Sequence, residues 1–507
     1  MLYQNLVLKL KNKFISLKIN STKKELNKLS FTSDLQIFLD NNADKKVIVI
    51  QGLGFVGAVM SLVCANSITE QYAVIGVDLP TDNSIKKINA LNSGEFPLIA
   101  EDPKIDEFFK NSISKGNLYA TTDPTAFSLA DVIIVDVNLD VGKKANEDYS
   151  LKDYDVDLTN FKKAISTIGE FCNPKALVLV ETTVPPGTCE KLIKPILENA
   201  LVERELPTCN LKIGHSYERV MPGPEYIDSI RNFPRVFSGI DDDSAKATED
   251  FLKTIIDTSK CELTRLSSTT ASEMAKVLEN SYRASNIAFA VEWSRFAEEA
   301  GVDLWSIVNA IRVRQTHANL MFPNIGVGGY CLTKDPLLAS WARKNFFGSK
   351  NDLEMSVNSV STNDQMPVFA YKRLKSVFGQ LDEKKVAFLG VSYRGDVGDT
   401  RFSPVETLYR LIKSDTTFIK VHDPYISRWE ELGVDVFCDL DDVLTGDRDL
   451  IIISTAHSCY NSEELISKIL CLPSCKIFDA VGLFNKKQIL SLKDKHEISL
   501  IGSGDFS

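Results

Sequence analysis

Lys46-Val-Ile-Val-Ile50-Gln-Gly52-Leu-Gly54-Phe55-Val56-Gly57 decides the fold of this chain. A short apolar run of strand type leads directly into three glycines spaced G-x-G-x-x-G. Ala58-Val-Met-Ser-Leu-Val-Cys-Ala65 then reads as a buried helix. Ala73-Val-Ile-Gly-Val-Asp78 follows as a second strand closed by an acid, 21 residues after Gly57. A lone glycine fingerprint is weak. Strand, glycines, helix, strand and acid in this order specify a dinucleotide-binding unit. Gly52 allows the tight turn, Gly54 the close approach of a pyrophosphate, and Gly57 helix–strand packing. Phe55 and Val56 open the helix, where free N–H groups and the dipole favour a diphosphate. Asp78 would accept hydrogen bonds from a ribose 2′-hydroxyl and repel a 2′-phosphate. That selects NAD over NADP.

Outward from this stretch, strands and helices alternate to about residue 262. Asp131-Val-Ile-Ile-Val-Asp-Val137 and Lys175-Ala-Leu-Val-Leu-Val180 are continuous apolar runs of the buried parallel type. From Ser268 to about Arg312 the pattern is helical, and the segment Glu273 to Glu292 contains no glycine or proline. It predicts one long helix. A further α/β unit opens at Lys385-Val-Ala-Phe-Leu-Gly390, with strand candidates at 418–423, 449–454 and 475–479. Its turn, Gly390-Val-Ser-Tyr-Arg-Gly395, lacks the dinucleotide spacing and suits a different nucleotide. The fold class is therefore α/β: two Rossmann-like doubly wound domains joined by a long central helix and a helical connector. The boundaries read as an N-terminal extension (1–45), an NAD-binding domain (46–262), a central helical domain carrying the cysteine loop (263–365) and a second nucleotide domain (366–507).

The 507 residues suit about three domains. A net charge of −10 argues against nucleic acid as a partner. No run of 18 apolar residues is present, which argues against a membrane span. The start, Met1-Leu-Tyr-Gln-Asn-Leu-Val-Leu-Lys, lacks a signal-peptide core. Residues 1–45 read as a solvated extension or a helix packed on the body. Ten cysteines without regular spacing fit a reducing cytoplasm better than a disulfide framework. Cys471-x-x-x-Cys475 has no second ligand pair and the five histidines are dispersed, so no metal site is expected.

The second informative stretch is Ile325-Gly-Val-Gly-Gly-Tyr-Cys-Leu-Thr-Lys-Asp-Pro336. Three glycines within four positions let backbone approach a ligand. Cys331 follows, with Lys334 and Asp335 close behind. A thiol nucleophile needs a cationic neighbour and an acid/base partner, and this segment offers both. On the predicted long helix, Glu273, Lys276 and Asn280 share one face. Lys276 and Asn280 read either as solvated polar residues or as a pair of donors aimed into a cleft.

Taken in order, these motifs resemble the UDP-glucose/GDP-mannose dehydrogenase family over roughly residues 46–505. The resemblance also rests on Glu181-Thr-Thr-Val-Pro-Pro-Gly187, Glu218-Arg-Val-Met-Pro-Gly223, Glu273-x-x-Lys276-x-x-x-Asn280, Gly328-Gly-Tyr-Cys331-x-x-Lys-Asp335 and Gly390-Val-Ser-Tyr-Arg-x-Asp-x-x-Asp-x-Arg-x-Ser-Pro404. It implies an NAD-dependent enzyme that oxidises the C6 alcohol of a nucleotide sugar to a carboxylate, with a dimer or higher homo-oligomer built on the central helix. By motif, Cys331 is the nucleophile that carries a thiohemiacetal and then a thioester. Lys276 and Asn280 stabilise the oxyanion, Asp335 assists proton transfer, and Glu218 is the base for thioester hydrolysis. Thr183, Lys334 and Arg401 fall to the cofactor. Arg219, Gly328, Tyr330 and Arg394 fall to the substrate.

Four positions depart from the family pattern. Leu139 stands where a threonine helps place water, Ser216-Tyr217 replaces an Asn/Ser-Pro pair, Arg394 replaces a lysine, and Val481 replaces an arginine. The Glu218-Arg-Val-Met-Pro-Gly223 form leans toward UDP-N-acetylhexosamines, with UDP-glucose as the alternative. Two further readings stay open: a simpler hydroxyacid dehydrogenase, which needs neither Cys331 nor a second nucleotide unit, and a non-catalytic nucleotide-sugar binder.

Overall fold

The computed structural model describes residues 32–98, 102–219, 223 and 225–504. Most of the extension (1–31) and Val220 to Pro222 of the Glu218–Gly223 motif lie outside the described residues.

The first sheet contains β1 (Lys46–Gln51), β2 (Tyr72–Val77), β3 (Leu118–Thr121) and β4 (Val132–Val135). An outlying hairpin, β5 (Val141–Ala145) and β6 (Leu151–Val156), interrupts it. It resumes with β7 (Leu177–Val180), β8 (Lys212–His215), β9 (Arg235–Gly239) and β10 (Leu263–Arg265). The spatial order is β10-β9-β8-β7-β4-β1-β2-β3, parallel except between β8 and β9. All residues of β2, β4 and β7 are buried, which is why these strands read as unbroken apolar runs rather than alternating ones. The strand order reverses between β1 and β4. That switch point opens the crevice in which such sheets bind ligands.

Residues 33–45 belong to this body. The helix Ser33–Asn41 buries Leu35 and Phe38, and the Phe38 ring stacks on Tyr119 at 5.5 Å.

The predicted long helix runs Thr269–Ala300, about 48 Å at 1.5 Å per residue. Ser268 caps its start by accepting the Ala271 N–H. Gly301, at φ +69°, ends it in the left-handed conformation that glycine tolerates. The helices Asp335–Asn345 and Glu354–Phe378 pack beside it. The latter continues through residues 365 and 366, where the sequence reading places a domain boundary. Its breaker, Pro367, sits inside the helix. The central and C-terminal units therefore share this helix.

The second sheet comprises β11 (Val386–Leu389), β12 (Ile419–His422), β13 (Leu450–Ile453), β14 (Lys476–Asp479) and β15 (Glu497–Leu500). It is wholly parallel, in the order β12-β11-β13-β14-β15, with its own switch point between β11 and β13. Among the described residues no helix is long and apolar enough to cross a membrane.

Candidate active site

The glycine turn after β1 has the shape its sequence predicts. Gly52 sits at φ +96°, and a Cβ there would lie 2.3 Å from the Asp136 carbonyl oxygen. A Cβ on Gly57 would lie 1.9 Å from the Gly52 carbonyl oxygen. Gly54 caps the helix Phe55–Ala65 and faces open space, so the helix start presents a cradle that a larger residue would fill. Asp78 Oδ2 accepts the Leu53 N–H at 3.2 Å and Oδ1 accepts the Leu79 N–H at 2.7 Å. The carboxylate is half-buried at the rim. Arg401 reaches across from the C-terminal unit. Its guanidinium stands 4.2 Å over the Phe55 ring while gripping Asp399 with two bonds of 2.9 and 2.7 Å. Val56 and Thr183 are half-buried. Beside Thr183, the Thr182 hydroxyl ties the end of β7 to Val135 and Val137. These residues fit a dinucleotide. Asp78→Ser is expected to weaken NAD binding by about 10- to 100-fold, the worth of hydrogen bonds to a charged acceptor, and to relax discrimination against NADP. Titration with both cofactors reads this directly, and an unchanged ratio removes Asp78 from the site.

The structure gathers all five residues assigned to chemistry. Cys331 lies on the loop before the helix Asp335–Asn345, and its carbonyl accepts the Asp335 N–H at 2.9 Å. Asp335 is fully buried. Its Oδ2 accepts from Asn280 Nδ2 at 2.6 Å and its Oδ1 from Lys334 Nζ at 2.8 Å. Lys276 Nζ donates to the Glu218 carbonyl at 2.8 Å and lies 3.9 Å from Glu218 Oε1. Burial works against the Lys276 charge, but Glu218, Cys331, Asp335 and Glu279 outweigh it and hold its pKa above the usual lysine value. Lys276 therefore stays cationic at neutral pH.

The thiol has a face open to the cleft but is otherwise enclosed by protein. Burial pushes its pKa up to about 11, and Asp335 adds to this. Lys276 and Lys334 pull the other way without winning. The resting residue is thus a thiol. Iodoacetamide should alkylate Cys331 about tenfold faster per pH unit from pH 7 to 10, levelling only near 11, because the thiolate is the reactive form. A plateau near pH 8 would show that the lysines prevail.

The remaining assigned residues divide into groups. Lys334 joins the thiol cluster rather than the glycine turn, with its ammonium on Asp335 and 4.5 Å over the Tyr330 ring. Arg219 is held by Glu279 at 3.1 Å and by the Pro234 carbonyl at 2.8 Å, and its guanidinium lies 5.6 Å from the Tyr217 ring. Gly328 is pressed against Tyr393 and Pro404 of the C-terminal unit. Arg394 is exposed on the turn after β11. Leu139 is buried in the hydrophobic core and Val481 packs into that of the C-terminal unit, so neither can supply the polar group it replaces.

Sequence reasoning named Glu273 and Glu181 only within their motifs and missed the buried polar tier that they form with Arg235 and His215. Glu273 accepts the N–H groups of Gly187 at 2.5 Å and Cys189 at 2.8 Å, so it braces the Pro185–Cys189 segment. Arg235 and Glu181 form a buried ion pair at 3.2 Å. Burial and nearby Glu218 raise Glu181 to about 7 against the pull of Arg235. His215 pairs with Ser272 at 2.7 Å, and burial, Lys276 and Arg235 lower its pKa to about 3, which keeps the ring neutral. Each of these residues stands at a strand end or on the buried helix face, where a polar residue in an apolar run was the available signal.

Two nucleotide-type units meeting over a thiol, a buried lysine and an anchored carboxylate define a nucleotide-dependent oxidoreductase. Comparison with known proteins makes this specific. The NAD binding, central and UDP binding domain models of the UDP-glucose/GDP-mannose dehydrogenase family match residues 45–256, 270–363 and 387–486. The UDP-N-acetyl-D-mannosamine dehydrogenase of Pyrococcus horikoshii is 31% identical over 421 residues, 82% of this chain and 90% of the relative. That of Methanocaldococcus jannaschii is 29% identical, with 92% of this chain and 98% of the relative covered. Among solved structures, the NDP-N-acetyl-D-galactosaminuronic acid dehydrogenase of Methanosarcina mazei Go1 superposes with a TM-score of 0.74 at 26% identity, covering 94% of this chain and 99% of that one. The chain belongs to the UDP-glucose/GDP-mannose dehydrogenase family. It is an NAD-dependent nucleotide-sugar dehydrogenase.

Proposed function

We propose that the chain oxidises the C6 hydroxymethyl of a UDP-N-acetylhexosamine, UDP-N-acetylmannosamine foremost, to the uronate. The observation that carries the reading is the cluster of Cys331, Lys276, Asn280 and Asp335 at the meeting of the two nucleotide units. Bound NAD supplies the hydride acceptor for both oxidations. Gly52, Gly54, Gly57 and Asp78 would hold it, with Phe55, Val56, Thr183 and Arg401 around it.

The protein's own residues do the rest. Lys276, kept charged by Glu218, stabilises the alkoxide that forms as the alcohol loses its proton. Cys331 adds to the C6 aldehyde and holds it as a thiohemiacetal, so it cannot diffuse away. Oxidation of that adduct gives a thioester on Cys331. Glu218 takes a proton from water as the thioester is cleaved. Asp335, kept in place beside the thiol by Asn280, assists the transfer of the alcohol proton and of the thiol proton. Arg394 and Tyr330 face the substrate, as do Gly328 and Arg219.

We also assign a homodimer, or a higher homo-oligomer containing it, built on the helix Thr269–Ala300. Met274, Leu278, Tyr282, Phe289, Trp293 and Phe296 form an exposed apolar stripe opposite its buried face. A stripe of this kind marks an interface between proteins. The ten free cysteines support a reducing cytoplasm as the compartment.

The deciding assay follows NADH with UDP-N-acetylmannosamine, UDP-N-acetylglucosamine, UDP-N-acetylgalactosamine, UDP-glucose and GDP-mannose. Two NADH per UDP-N-acetylhexosamine consumed is the expected result. Turnover confined to UDP-glucose would overturn the sugar assignment. One NADH per sugar would overturn the four-electron course.

A further inference from the structure

The two nucleotide units repeat one construction and then diverge at a single residue. In the first, Gly52 (φ +96°) donates its N–H to the Val77 carbonyl at 2.8 Å, and the next N–H, from Leu53, goes to Asp78. In the second, Gly390 (φ +89°) donates to the His422 carbonyl at 2.8 Å, and the next N–H, from Val391, goes to Asp423 at 2.9 Å. Asp78 and Asp423 therefore hold equivalent positions, at the end of the second strand of each sheet. Asp78 keeps an open edge. Asp423 is fully buried and saturated. It accepts from Ser392 N and Oγ, from Tyr425 N and from His457 Nε2, the last at 3.1 Å.

His457 is also fully buried. Its Nδ1 accepts the Asp396 N–H at 3.0 Å, so the ring proton sits on Nε2 and points at Asp423. Between the two anchors runs the turn Val391 to Asp396, which carries Tyr393 and Arg394. Tyr393 lies directly on the cysteine loop. A Cβ on Gly328 would be 2.6 Å from Tyr393 Cβ, and one on Gly329 would be 2.7 Å from the ring. Only the absence of side chains at these two positions lets Tyr393 come so close, two residues from Cys331.

We propose that Asp423 and His457 form a buried bracket, standing where a ribose would bind in the C-terminal unit, that positions Arg394 for the nucleotide and, through Tyr393, the Cys331 loop for reaction. The proposal rests on the reading of Arg394 and Cys331 given above. Asp423 and His457 touch neither substrate nor cofactor and are positioning residues. The adenosine-type site of the second unit is closed from within, so its nucleotide binds at the turn's outer edge.

The test compares His457→Ala, His457→Asn and His457→Gln in the full chain. Three quantities are read: UDP affinity by calorimetry, NAD affinity, and the rate at which iodoacetamide alkylates Cys331 at one fixed pH. The alanine variant is expected to weaken UDP about tenfold or more, on the scale of losing buried hydrogen bonds. It is expected to speed alkylation several-fold and leave NAD affinity unchanged. Asparagine keeps the acceptor for the Asp396 N–H and should restore most of the loss. Glutamine keeps the donor to Asp423, which has four other donors, and should restore less. Wild-type alkylation and UDP affinity in the alanine variant would overturn the bracket. If that variant does not fold, equal behaviour of the asparagine and glutamine variants would overturn it instead. Wild-type protein that binds no UDP would sink the substrate reading, and the alkylation rates would still judge the bracket.

Discussion

Cys331→Ala is expected to lower uronate formation by about four orders of magnitude or more, the scale on which enzymes lose activity with their nucleophile. The C6–H of an aldehyde can leave as hydride only after a nucleophile has added, because the added oxygen then gives up its proton and forms the new carbonyl. Cys331 is placed for that addition, with a buried cation beside it and a cleft-facing edge. Lys276 is held by the Glu218 carbonyl, and Asp335 by Asn280 and Lys334, none of them through the sulfur, so the variant should fold and bind NAD as before. The informative measurement is product analysis. Little or no uronate with NAD affinity intact is expected, and a normal uronate yield would refute the covalent course.

Lys276→Ala is expected to reduce turnover by about 10²- to 10³-fold, the typical loss when one oxyanion donor is removed. Lys276 is only 7% exposed and its charge is balanced by Glu218. Removing it withdraws the cation from the developing alkoxide and from its place beside Glu218. The two effects separate in single-turnover experiments. The loss should appear in the first hydride transfer as well as in thioester cleavage. A variant slowed only at hydrolysis would confine Lys276 to supporting Glu218.

The parts of the fold built from repeated backbone physics were legible in the sequence. β1, β2, β4 and β7 announced themselves as continuous apolar runs, and the glycine turn carries the φ and close contacts that its spacing implies. The helix Thr269–Ala300 followed from its long uninterrupted pattern. The hairpin β5–β6 did not. Its residues are mostly exposed and charged, and it is fixed by single side chains: Lys143 to Asp364 at 2.7 Å, and the Leu151 N–H to Ser361 at 3.0 Å. No periodicity encodes such contacts. The candidate site was legible where one segment carries several of its residues, as at Cys331 to Asp335. It was illegible where partners stand far apart in the chain, as with Glu273 and the Gly187 turn. The Asp423–His457 pair is intermediate. Its acid ends a strand that the sequence outlined, but only the parallel with Asp78 in three dimensions gives it meaning.

The contact between Tyr393 and the cysteine loop also bears on how the molecule is made. Ribosomes release Cys331 before the residues of β11–β15, so the thiol emerges ahead of the surface on which its loop rests. Gly328 and Gly329, the latter at positive φ, have that surface to lean on only after the last sheet closes. A nascent chain can thus complete its cofactor unit while Cys331 is still unplaced. The site is completed last, when the final quarter of the polypeptide arrives.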